Sequence, residues 1–457
     1  MLRFGTDGVR GDADTDLTTP LIVALGRAAA RVLGAETFFI GRDTRESGPR
    51  IEVALMQGFE AEGARVVLLG VAPTPAVAFL AQRRGVPAAI VSASHNPWHD
   101  NGVKLVGPDG RKLGDEAEAA IETEMRALFE SPQPQPEESR RSTAASAARS
   151  EANPTVDTDL EAYIEHLLGA LDGRSLEGLR VVIDCAHGAA YDLGPRALRG
   201  AGANVEVLHA APDGRNINDG CGSTDPSALQ RAVVAQGAHL GLALDGDADR
   251  VVAVDEKGEL VDGDQIMVMT ALDWHERGML RNDAIAVTVM SNLGLRRALA
   301  AGGVGIVETP VGDRSVTAAM AAGDLAIGGE QSGHIVFADL ATTGDGVLTG
   351  LIVADLVKRR AVGLSALAAS MTRLPQVLLN VRLARKVDNG WGSGVDRVVR
   401  EVEAELGDRG RVLVRSSGTE PLLRVMVEAP TSAEAEGAAA RIVAAVHALE
   451  EDAPEGS

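Results

Sequence analysis

Short apolar segments alternate with helical patterns along most of the chain, and this alternation limits the possible folds more than any other feature. The segments ETFFIGRD, ARVVLLG and PAAIVSA have the composition of buried strands. The same rhythm returns in RVVIDCA, NVEVLHA and HLGLALDGD, and again in AIAVTVMSN, GVGIVETP and DLAIGGE. Such alternation favours α/β folding, so we expect three related α/β domains with mixed, largely parallel sheets.

The last part of the chain, from about Leu374, has a different pattern. The strand candidates LPQVLLNVRL, RGRVLVRSS and PLLRVMVEA follow one another and precede a helix. Thr431 and Glu434 have the spacing of a capping box at the start of that helix. We therefore expect a smaller C-terminal α+β domain.

Helix signals near the N-terminus are clear. In LTTPLIVALGRAAARVLG, we expect Thr19 to be the N-cap, Pro20 to occupy the first helical position and Gly34 to end the helix. Residues 131–156, in contrast, combine Pro, Ser, Ala and charge without apolar periodicity, and we expect a flexible domain boundary there.

The net charge limits the partners. The chain has 44 basic and 65 acidic residues, which gives a formal net charge of -21. A field of this sign repels nucleic acid phosphates and anionic lipid at long range, so we expect neither nucleic acid nor a membrane as a partner. A small anionic substrate stays open, because a local cluster of Arg and Lys acts at short range.

The N-terminal residues MLRFGTDGVRGDAD lack the apolar core of a signal peptide. Later segments lack the roughly 18 consecutive apolar residues of a membrane span. We therefore expect a cytoplasmic protein. Cys185 and Cys221 are too few for a disulfide framework, and we expect them to be reduced and buried.

The strongest metal signal is LDGDADR, with carboxylates at Asp245, Asp247 and Asp249. In extended backbone this spacing projects all three to one side, where they repel one another unless a cation offsets them. Hard oxygen ligands favour Mg²⁺ or Ca²⁺. An EF-hand is a poor fit, because Arg250 stands where its turn needs glycine. A solvated acidic turn is the other interpretation.

Ser94 follows the apolar run VPAAIV in SASHNPWHDNGVK, at a strand end where open α/β folds usually bind ligands. The stretch lacks the G-x-S-x-G turn of serine hydrolases. His95 is a direct neighbour, and from extended backbone its side chain cannot easily turn toward Ser94 Oγ. A hydrolase nucleophile is therefore a poor fit.

Two further loops suggest a sugar phosphate. VRSSGTEPLLRV places hydroxyl groups, backbone N–H groups and two arginines around a glycine, as a phosphate requires, although SGT alone is as typical of a polar hairpin turn. GGEQSGH offers an acid, an amide, a hydroxyl and an imidazole among glycines, which suits sugar hydroxyls. By itself this second loop would be a structural turn.

The motifs together resemble those of a known family. FGTDGVRG, GRDTRESG, PTPAV, SASHNP with DNGVK, DGDADR, TVMSNLGL, VGDR, GGEQSGH, TTGDG, PQVLLNVR and RSSGTEPLLRVMVE occur in the family's order. The chain is similar to the bacterial phosphoglucosamine mutases of the α-phosphohexomutase superfamily, essentially from end to end. GGEQSGH, PQVLLNVR and TVMSNLGL favour glucosamine phosphate over other hexose phosphates.

The resemblance implies four domains around a central cleft. These are a phosphoserine-bearing domain at 1–150, a metal-binding domain at 157–250, a sugar-binding domain at 251–368 and a phosphate-binding domain at 369–457. It implies the catalytic residues Ser94, His95, Lys104, Arg10 and His334, and the metal ligands Ser94, Asp245, Asp247 and Asp249. It implies substrate contacts from Glu330, Ser332, Arg415, Ser416, Ser417, Gly418, Thr419 and Arg424.

The implied enzyme is an isomerase, an intramolecular phosphotransferase that interconverts glucosamine 6-phosphate and glucosamine 1-phosphate. Phosphoserine 94, one Mg²⁺ per site and a glucosamine 1,6-bisphosphate activator and intermediate would take part, in a homodimer that supplies UDP-N-acetylglucosamine and cell-wall precursors. A phosphate on Ser94 carries about -1.5 to -2 charge, which Mg²⁺ and Lys104 would offset. Either Lys104 or His334 could be the general acid/base.

Three alternatives stay open at this stage. Asp245 could be the nucleophile of a phosphatase, because D-x-D also opens active sites that form an aspartyl phosphate. A metal-dependent sensor of sugar phosphates could use the same loops without transfer. Within the mutase interpretation, mannose or glucose phosphate could be the substrate.

Overall fold

A computed structural model describes residues 4–5, 7–130, 154–383, 393–416 and 422–451. The chain divides into two units, the first formed by Met1–Val289 with Val304–Ala369 and the second by Met290–Gly303 with Ser370–Ser457. The predicted domain boundaries stay a prediction. Most of the segment 131–156 lies outside the described residues. Its last three residues contradict the prediction, because a helix begins at Pro154, a residue whose ring suits the first helical position.

The first sheet of unit 1 contains strands β1 Val9–Asp12, β2 Thr37–Arg42, β3 Arg65–Val71, β4 Ala88–Val91 and β5 Asp100–Val106, in the order β1-β5-β4-β2-β3. β2 is parallel to β3 and β4, whereas β5 is antiparallel to β4 and β1. Its helices are Thr19–Leu33, Gly48–Ala61, Thr74–Arg84 and Asp115–Glu130.

Both faces of the first sheet are buried. Phe38 and Ile40 of β2 belong to the core formed with the helices Thr19–Leu33, Gly48–Ala61 and Asp115–Glu130, and Phe39 belongs to a separate core on the other face. Adjacent parallel strands end at the same edge of a sheet, so the loops that follow β2 and β4 lie side by side.

The second sheet repeats this topology with β6 Arg180–Asp184, β7 Asn204–Leu208, β8 Leu240–Leu244, β9 Val251–Asp255 and β10 Leu260–Val261, in the order β10-β9-β8-β6-β7. β6 lies between its parallel neighbours β7 and β8, as β2 lies between β3 and β4, and β9 is antiparallel to β8, as β5 is to β4. The helices are Pro154–Gly169, Leu193–Gly200 and Ser227–Gln236, with a 3₁₀ turn at Gly222–Thr224.

The third sheet contains β11 Ala284–Thr288, β12 Gly305–Thr309, β13 Ile327–Gly329 and β14 Ile335–Phe337, in the order β12-β11-β13-β14. Once more a central first strand has two parallel neighbours and the fourth strand is antiparallel. The helices here are Gly263–Glu276, Asp313–Gly323, Gly346–Arg360 and Leu364–Ala368, with a 3₁₀ turn at Arg281–Asp283. The shared topology confirms the expected α/β fold.

Unit 2 has an antiparallel sheet of β15 Gln376–Arg382, β16 Arg411–Ser416 and β17 Leu422–Glu428, in the order β15-β17-β16. Its helices are Leu293–Ala301, Ser393–Leu406 and Ser432–Glu451, with a 3₁₀ turn at Gly407–Arg409. The Glu434 N–H donates to Thr431 Oγ1 over 3.2 Å at the start of the last helix. The α+β class of this part is confirmed.

The first helix corrects one prediction by a single residue. It begins at Thr19, so Thr18 is the N-cap and Pro20 is the second helical residue. Gly34 ends the helix with a left-handed φ of 60°, as predicted. Among the described residues, no helix has the length and apolar character needed to cross a membrane.

Candidate active site

Ser94 lies in the loop between β4 and β5 and is fully buried. Its φ of 52° is in the left-handed region. Its hydroxyl donates to Asp245 Oδ2 over 2.6 Å, which joins the first sheet to the second. Gly246 permits this approach, because a Cβ there would stand 2.6 Å from the Ser94 carbonyl oxygen.

The three predicted aspartates converge in the turn between β8 and β9. Asp245, Asp247 and Asp249 are all buried, and one carboxylate oxygen from each lies within 4.8 Å of the others. The prediction of extended backbone at this point was wrong. The residues form a turn in which Ala248 has a φ of 58°, and it is the turn that brings the three side chains together.

The carboxylate group has the properties of a cation site. Within the described residues, Asp247 Oδ1 and Asp249 Oδ1 are buried without a hydrogen-bond partner. Burial and the neighbouring carboxylates Asp249 and Asp247 raise the pKa of Asp245 well above its usual value. A divalent ion could be coordinated by these unpartnered oxygens, and its charge would offset the repulsion between the carboxylates. These residues could therefore hold a metal.

Lys104 is the main positive charge beside the aspartates. Its Nζ lies 2.8 Å from Asp247 Oδ2, 3.2 Å from Asp249 Oδ2 and 3.0 Å from Asp7 Oδ2. Burial alone would lower its pKa, but the three carboxylates raise the pKa of Lys104 well above its usual value. The ammonium group is therefore charged in this arrangement.

Six ionisable side chains, alternately basic and acidic, close into a ring around this centre, which we call the charge ring. The neighbours in the ring are Lys104, Asp7, Lys112, Asp313, His334 and Asp249, and Asp249 returns to Lys104. Burial would raise the pKa of Asp7, but Lys104 and Lys112 hold it well below its usual range. The charge ring links all three sheets of unit 1.

His334 lies in the charge ring, at the end of the loop between β13 and β14. The Gly344 N–H donates to its Nε2 over 3.1 Å, and its Nδ1 lies 3.7 Å from Asp249 Oδ1. Burial would lower the pKa of His334, but Asp249 and Asp313 raise it above its usual value. This predicted residue is therefore at the centre of the site.

His95 corrects a prediction. Its Nδ1 lies 3.5 Å from Ser94 Oγ, at the limit of a hydrogen bond. Extended backbone was expected at this position, whereas Ser94 has a left-handed φ of 52° and the His95 side chain lies beside the hydroxyl. Burial and the nearby charges of Arg250 and Arg10 lower the pKa of His95 to about 4, so the imidazole of His95 is neutral near pH 7.

Three predicted residues of unit 1 remain, on β1 and in the loop between β13 and β14. Arg10, on β1, is paired with Asp7. Glu330 is half-buried, and its Oε1 accepts a hydrogen bond from the Gly312 N–H over 3.1 Å. Ser332 is exposed in the same β13–β14 loop as Glu330.

The predicted phosphate loop belongs to unit 2 and is described in part. Arg415 on β16 stands directly opposite Arg424 on β17, and the Nε atoms of both are buried without a hydrogen-bond partner among the described residues. Burial and Arg424 lower the pKa of Arg415. Ser416 ends β16. Ser417, Gly418 and Thr419 lie outside the described residues. Two facing guanidinium groups form a natural binding place for an anion.

Sequence reasoning missed four residues that hold this centre together. Asp7, Lys112 and Asp313 belong to the charge ring. Thr74 Oγ1 donates to Asp247 Oδ2 over 2.6 Å, and its backbone N–H donates to the Asp247 carbonyl over 2.9 Å. Asp7, Thr74 and Asp313 lie in the motifs FGTDGVRG, PTPAV and VGDR, so the signal was present without an assigned role.

A second cluster of possible ligands has a structural explanation. Asp184, His209 and Cys221 offer ligand atoms within 4.8 Å of one another. Asp184 already accepts hydrogen bonds from the backbone N–H groups of Ala186 and Gly222 and contacts His209 Nδ1 at 2.9 Å. Burial raises the pKa of Cys221 to about 12, and both cysteines are free and buried as predicted.

Comparison with known proteins gives the same picture of the fold. The family models of phosphoglucomutase/phosphomannomutase match four regions: alpha/beta/alpha domain I at residues 1–131, domain II at 161–258, domain III at 262–374 and the C-terminal domain at 378–445. A solved phosphoglucomutase/phosphomannomutase family protein from Burkholderia thailandensis is similar, with a TM-score of 0.76 at 23% identity over 98% of both chains. An N-acetylphosphoglucosamine mutase from Aspergillus fumigatus has a TM-score of 0.68 at 20% identity, over 98% of this chain and 96% of that one.

The sequence relatives are much more similar. A phosphoglucosamine mutase from Frankia casuarinae is 50% identical over 98% of this chain and 98% of its own length. One from Symbiobacterium thermophilum is 49% identical over 96% of this chain and 97% of its own. With all four domain models matched and such relatives aligned almost from end to end, the chain belongs to the phosphoglucomutase/phosphomannomutase family.

Proposed function

We propose that this chain interconverts glucosamine 6-phosphate and glucosamine 1-phosphate through a phosphoserine at position 94. The observation that carries the proposal is the 2.6 Å contact from Ser94 Oγ to Asp245, inside a cluster of three buried carboxylates and Lys104. The name of the relatives that share half of its residues supports glucosamine as the sugar.

Asp245, Asp247 and Asp249 would hold Mg²⁺ together with an oxygen of phosphoserine 94. The unpartnered oxygens of Asp247 and Asp249 support this assignment, and oxygen ligands suit Mg²⁺. The ion would supply positive charge that offsets the charge on the phosphoryl group.

The reaction needs two in-line transfers that balance. First, the C1 hydroxyl oxygen of glucosamine 6-phosphate bonds to the phosphoserine phosphorus. The bond from Ser94 Oγ to phosphorus breaks, which gives glucosamine 1,6-bisphosphate. The bisphosphate then turns so that its 6-phosphate faces Ser94. Ser94 Oγ bonds to that phosphorus and the bond to the sugar O6 breaks. O6 takes up a proton in place of the one that the C1 hydroxyl gave to the general base, which leaves glucosamine 1-phosphate. Catalysis of this kind depends on positioning and on neutralisation of charge.

The other site residues would bind the sugar and move its proton. Lys104 and His334 are the candidates for the general acid/base, with Arg10 and His95 beside the transferring group. Glu330 and Ser332 would contact the sugar, and Arg415, Ser416, Ser417, Gly418, Thr419 and Arg424 would bind the phosphate that is not reacting. The facing guanidinium groups of Arg415 and Arg424 support the last assignment.

Intact-protein mass and turnover of Ser94→Ala test the proposal. We expect one added phosphate on the wild-type chain after incubation with glucosamine 1,6-bisphosphate and Mg²⁺, and no added phosphate or turnover in the variant. A phosphoserine survives hydroxylamine, whereas the acyl phosphate of an Asp245 nucleophile is cleaved by it. Turnover by Ser94→Ala would refute the proposal, and wild-type protein that never gains phosphate would favour a sugar phosphate sensor.

The ratio of kcat/KM for glucosamine 6-phosphate to that for glucose 6-phosphate or mannose 6-phosphate tests the choice of sugar. We expect glucosamine 6-phosphate to be preferred. A homodimer and a cytoplasmic location complete the proposal, and light scattering of the purified chain and cell fractionation check them.

A further inference from the structure

Arg45 is a completely buried arginine beneath the loop that carries Ser94. Its side chain is 0% exposed, and it follows β2 in the loop next to the Ser94 loop. Nε donates to Asp43 Oδ2 over 2.8 Å, and one terminal nitrogen donates to the carbonyls of Ser94 and Asn96 over 3.0 and 2.8 Å. The other donates to the carbonyls of Pro97 and Asp100. A guanidinium group has five N–H donors, so all of them are used.

The partner of Arg45 holds the other side of Ser94. Asp43 Oδ2 also accepts a hydrogen bond from Ser92 Oγ over 2.6 Å, and Ser92 Oγ accepts one from the Ser94 N–H over 2.9 Å. Asp43 is therefore connected to the N–H of Ser94 through Ser92, and Arg45 binds the carbonyl oxygen of Ser94 directly.

Ser94 needs such support, because its backbone is left-handed. Residues with a side chain seldom adopt this conformation unless the surrounding structure fixes it, and here it directs Oγ to Asp245. Asn218 adds a second donor to the carbonyls of Ser94 and Asn96, over 2.9 and 3.1 Å. Each of these two carbonyl oxygens thus receives hydrogen bonds from two side chains, Arg45 and Asn218.

We propose that the Asp43–Arg45 ion pair is a positioning device for the phosphorylated serine, with Arg45 as the positioning residue. It touches no reacting atom. It fixes the left-handed conformation of Ser94, so that the phosphorus on Oγ is presented in line to the sugar hydroxyl. The inference rests on the proposed role of Ser94.

Single-turnover transfer from the prephosphorylated enzyme tests the inference with Arg45→Lys. Lysine keeps the charge but has three donors, so it cannot satisfy the acceptors that the fork of arginine reaches. We expect transfer to glucosamine 6-phosphate to be about 100-fold slower, the cost of a misplacement of about 1 Å, with KM changed less than threefold. The comparison is made at a temperature where circular dichroism shows both proteins folded.

Arg50→Lys is the matched control. Arg50 also donates to backbone carbonyls, those of Leu17 and Ala13, but on a different loop. It should lose stability without a slower transfer. Ser92→Ala is the second variant, and it interrupts the path from Asp43 to the Ser94 N–H without touching Arg45. We expect transfer about 10-fold slower, and this variant decides the matter if Arg45→Lys does not fold.

Unchanged transfer in folded Arg45→Lys, or in Ser92→Ala if that is the only folded variant, would overturn the inference. So would an equal slowing by Arg50→Lys, because general destabilisation would then explain the effect. The proposed function fails separately, through turnover by Ser94→Ala. Arg45→Lys can therefore fail to slow transfer while Ser94 is still the phosphorylated residue.

Discussion

The two charged sites of this chain are opposite in sign and differ in what they lack. In unit 1, Lys104 contacts two of the three buried aspartates, Asp247 and Asp249, and one carboxylate oxygen of each has no hydrogen-bond partner among the described residues. In unit 2, Arg415 and Arg424 face each other across two strands without a carboxylate between them in the described part of the sheet. Like charges in contact destabilise a fold unless a ligand offsets them. Each site is therefore complementary to a ligand of opposite charge, one to a cation and the other to an anion.

The largest effect should come from one carboxylate of unit 1. Asp247→Asn keeps the shape of the side chain but removes a proposed metal ligand and the carboxylate that contacts Lys104 and Thr74. We expect kcat/KM to fall about 1,000-fold, or about 4 kcal/mol, because charge stabilisation in such sites is among the largest catalytic terms. Steady-state kinetics at saturating Mg²⁺ measure it.

Asp255→Asn is the control for Asp247→Asn. Asp255 is also buried at the end of β9, but its Oδ1 accepts hydrogen bonds from the backbone N–H groups of Lys257 and Glu259, away from Ser94. We expect less than a threefold change in kcat/KM. An equal loss in both variants would mean that any buried aspartate of this sheet matters, and the distinction between the sites would fail.

The second prediction concerns the cation itself. Mg²⁺ should stabilise the wild-type chain against urea by about 2.7 kcal/mol at a concentration of 100 times its Kd, because it binds the folded state. Asp247→Asn should lose most of this gain, whereas a variant of the arginine site should keep it. Urea unfolding with Mg²⁺ and with chelator measures both. Equal stabilisation of wild type and Asp247→Asn would place the cation elsewhere.

Sequence reasoning predicted that Ser94 and the aspartates lie together and that two arginines flank one turn, because these residues lie in short motifs whose chemistry can be read from neighbouring residues. Their roles in the reaction stay predictions. The strands were predicted because apolar runs such as LGLAL and VVAVD have few other places in a fold. A local pattern needs no knowledge of distant contacts.

The residues and conformations that sequence reasoning missed depend on contacts with residues far away in the sequence. Lys112 is a single lysine in GRKLG, and its partners Asp7 and Asp313 are 105 and 201 residues away. Arg45 is an ordinary basic residue until the Ser94 loop lies above it, 49 residues further along. The left-handed backbone of Ser94 and Ala248 also depends on tertiary contacts, which is why the assumption of extended backbone failed at both positions.

The third prediction concerns the arginine pair of unit 2, whose charge is opposite to that of the aspartates. Arg415→Gln removes one of two facing cations, so the unliganded fold should become more stable while phosphate binding weakens. A hydrogen bond from a charged group contributes about 1.5–3 kcal/mol. We expect Arg415→Gln to lose about 2 kcal/mol of this binding free energy, which corresponds to a fall in kcat/KM of about 30-fold. Kinetics and urea unfolding measure the two effects. Arg382→Gln, an exposed arginine on β15, is the control and should change neither.

A loss of both stability and kcat/KM in Arg415→Gln would contradict the comparison. It would mean that Arg415 is already satisfied in the fold, as Lys104 is, and does not await an anion.

The smallest effect comes from Asp345, a buried carboxyl outside both sites that serves as their reference. It accepts hydrogen bonds from Tyr163 Oη over 2.8 Å and from the Leu348 N–H over 2.9 Å. Burial raises the pKa of Asp345 to about 6. The ionised form is therefore disfavoured in the folded state, and this cost is fully present above pH 6 and fades as the pH falls toward the unfolded value of about 3.9.

Asp345→Asn should remove that pH dependence, because the amide does not titrate. Its Oδ1 can accept from the Leu348 N–H while its NH₂ group donates to Tyr163 Oη. As the pH is lowered from 7 to 5, the free energy of unfolding of the wild type should rise by about 1 kcal/mol relative to that of the variant. Urea unfolding of both proteins at the two pH values gives the difference, in which titration of all other groups cancels. A parallel change in the two proteins would show that Asp345 stays ionised, as a carboxylate paired with a cation does. Asp345 would then be ionised without a neighbouring cation, and its burial alone would not distinguish it from the aspartates of the first site.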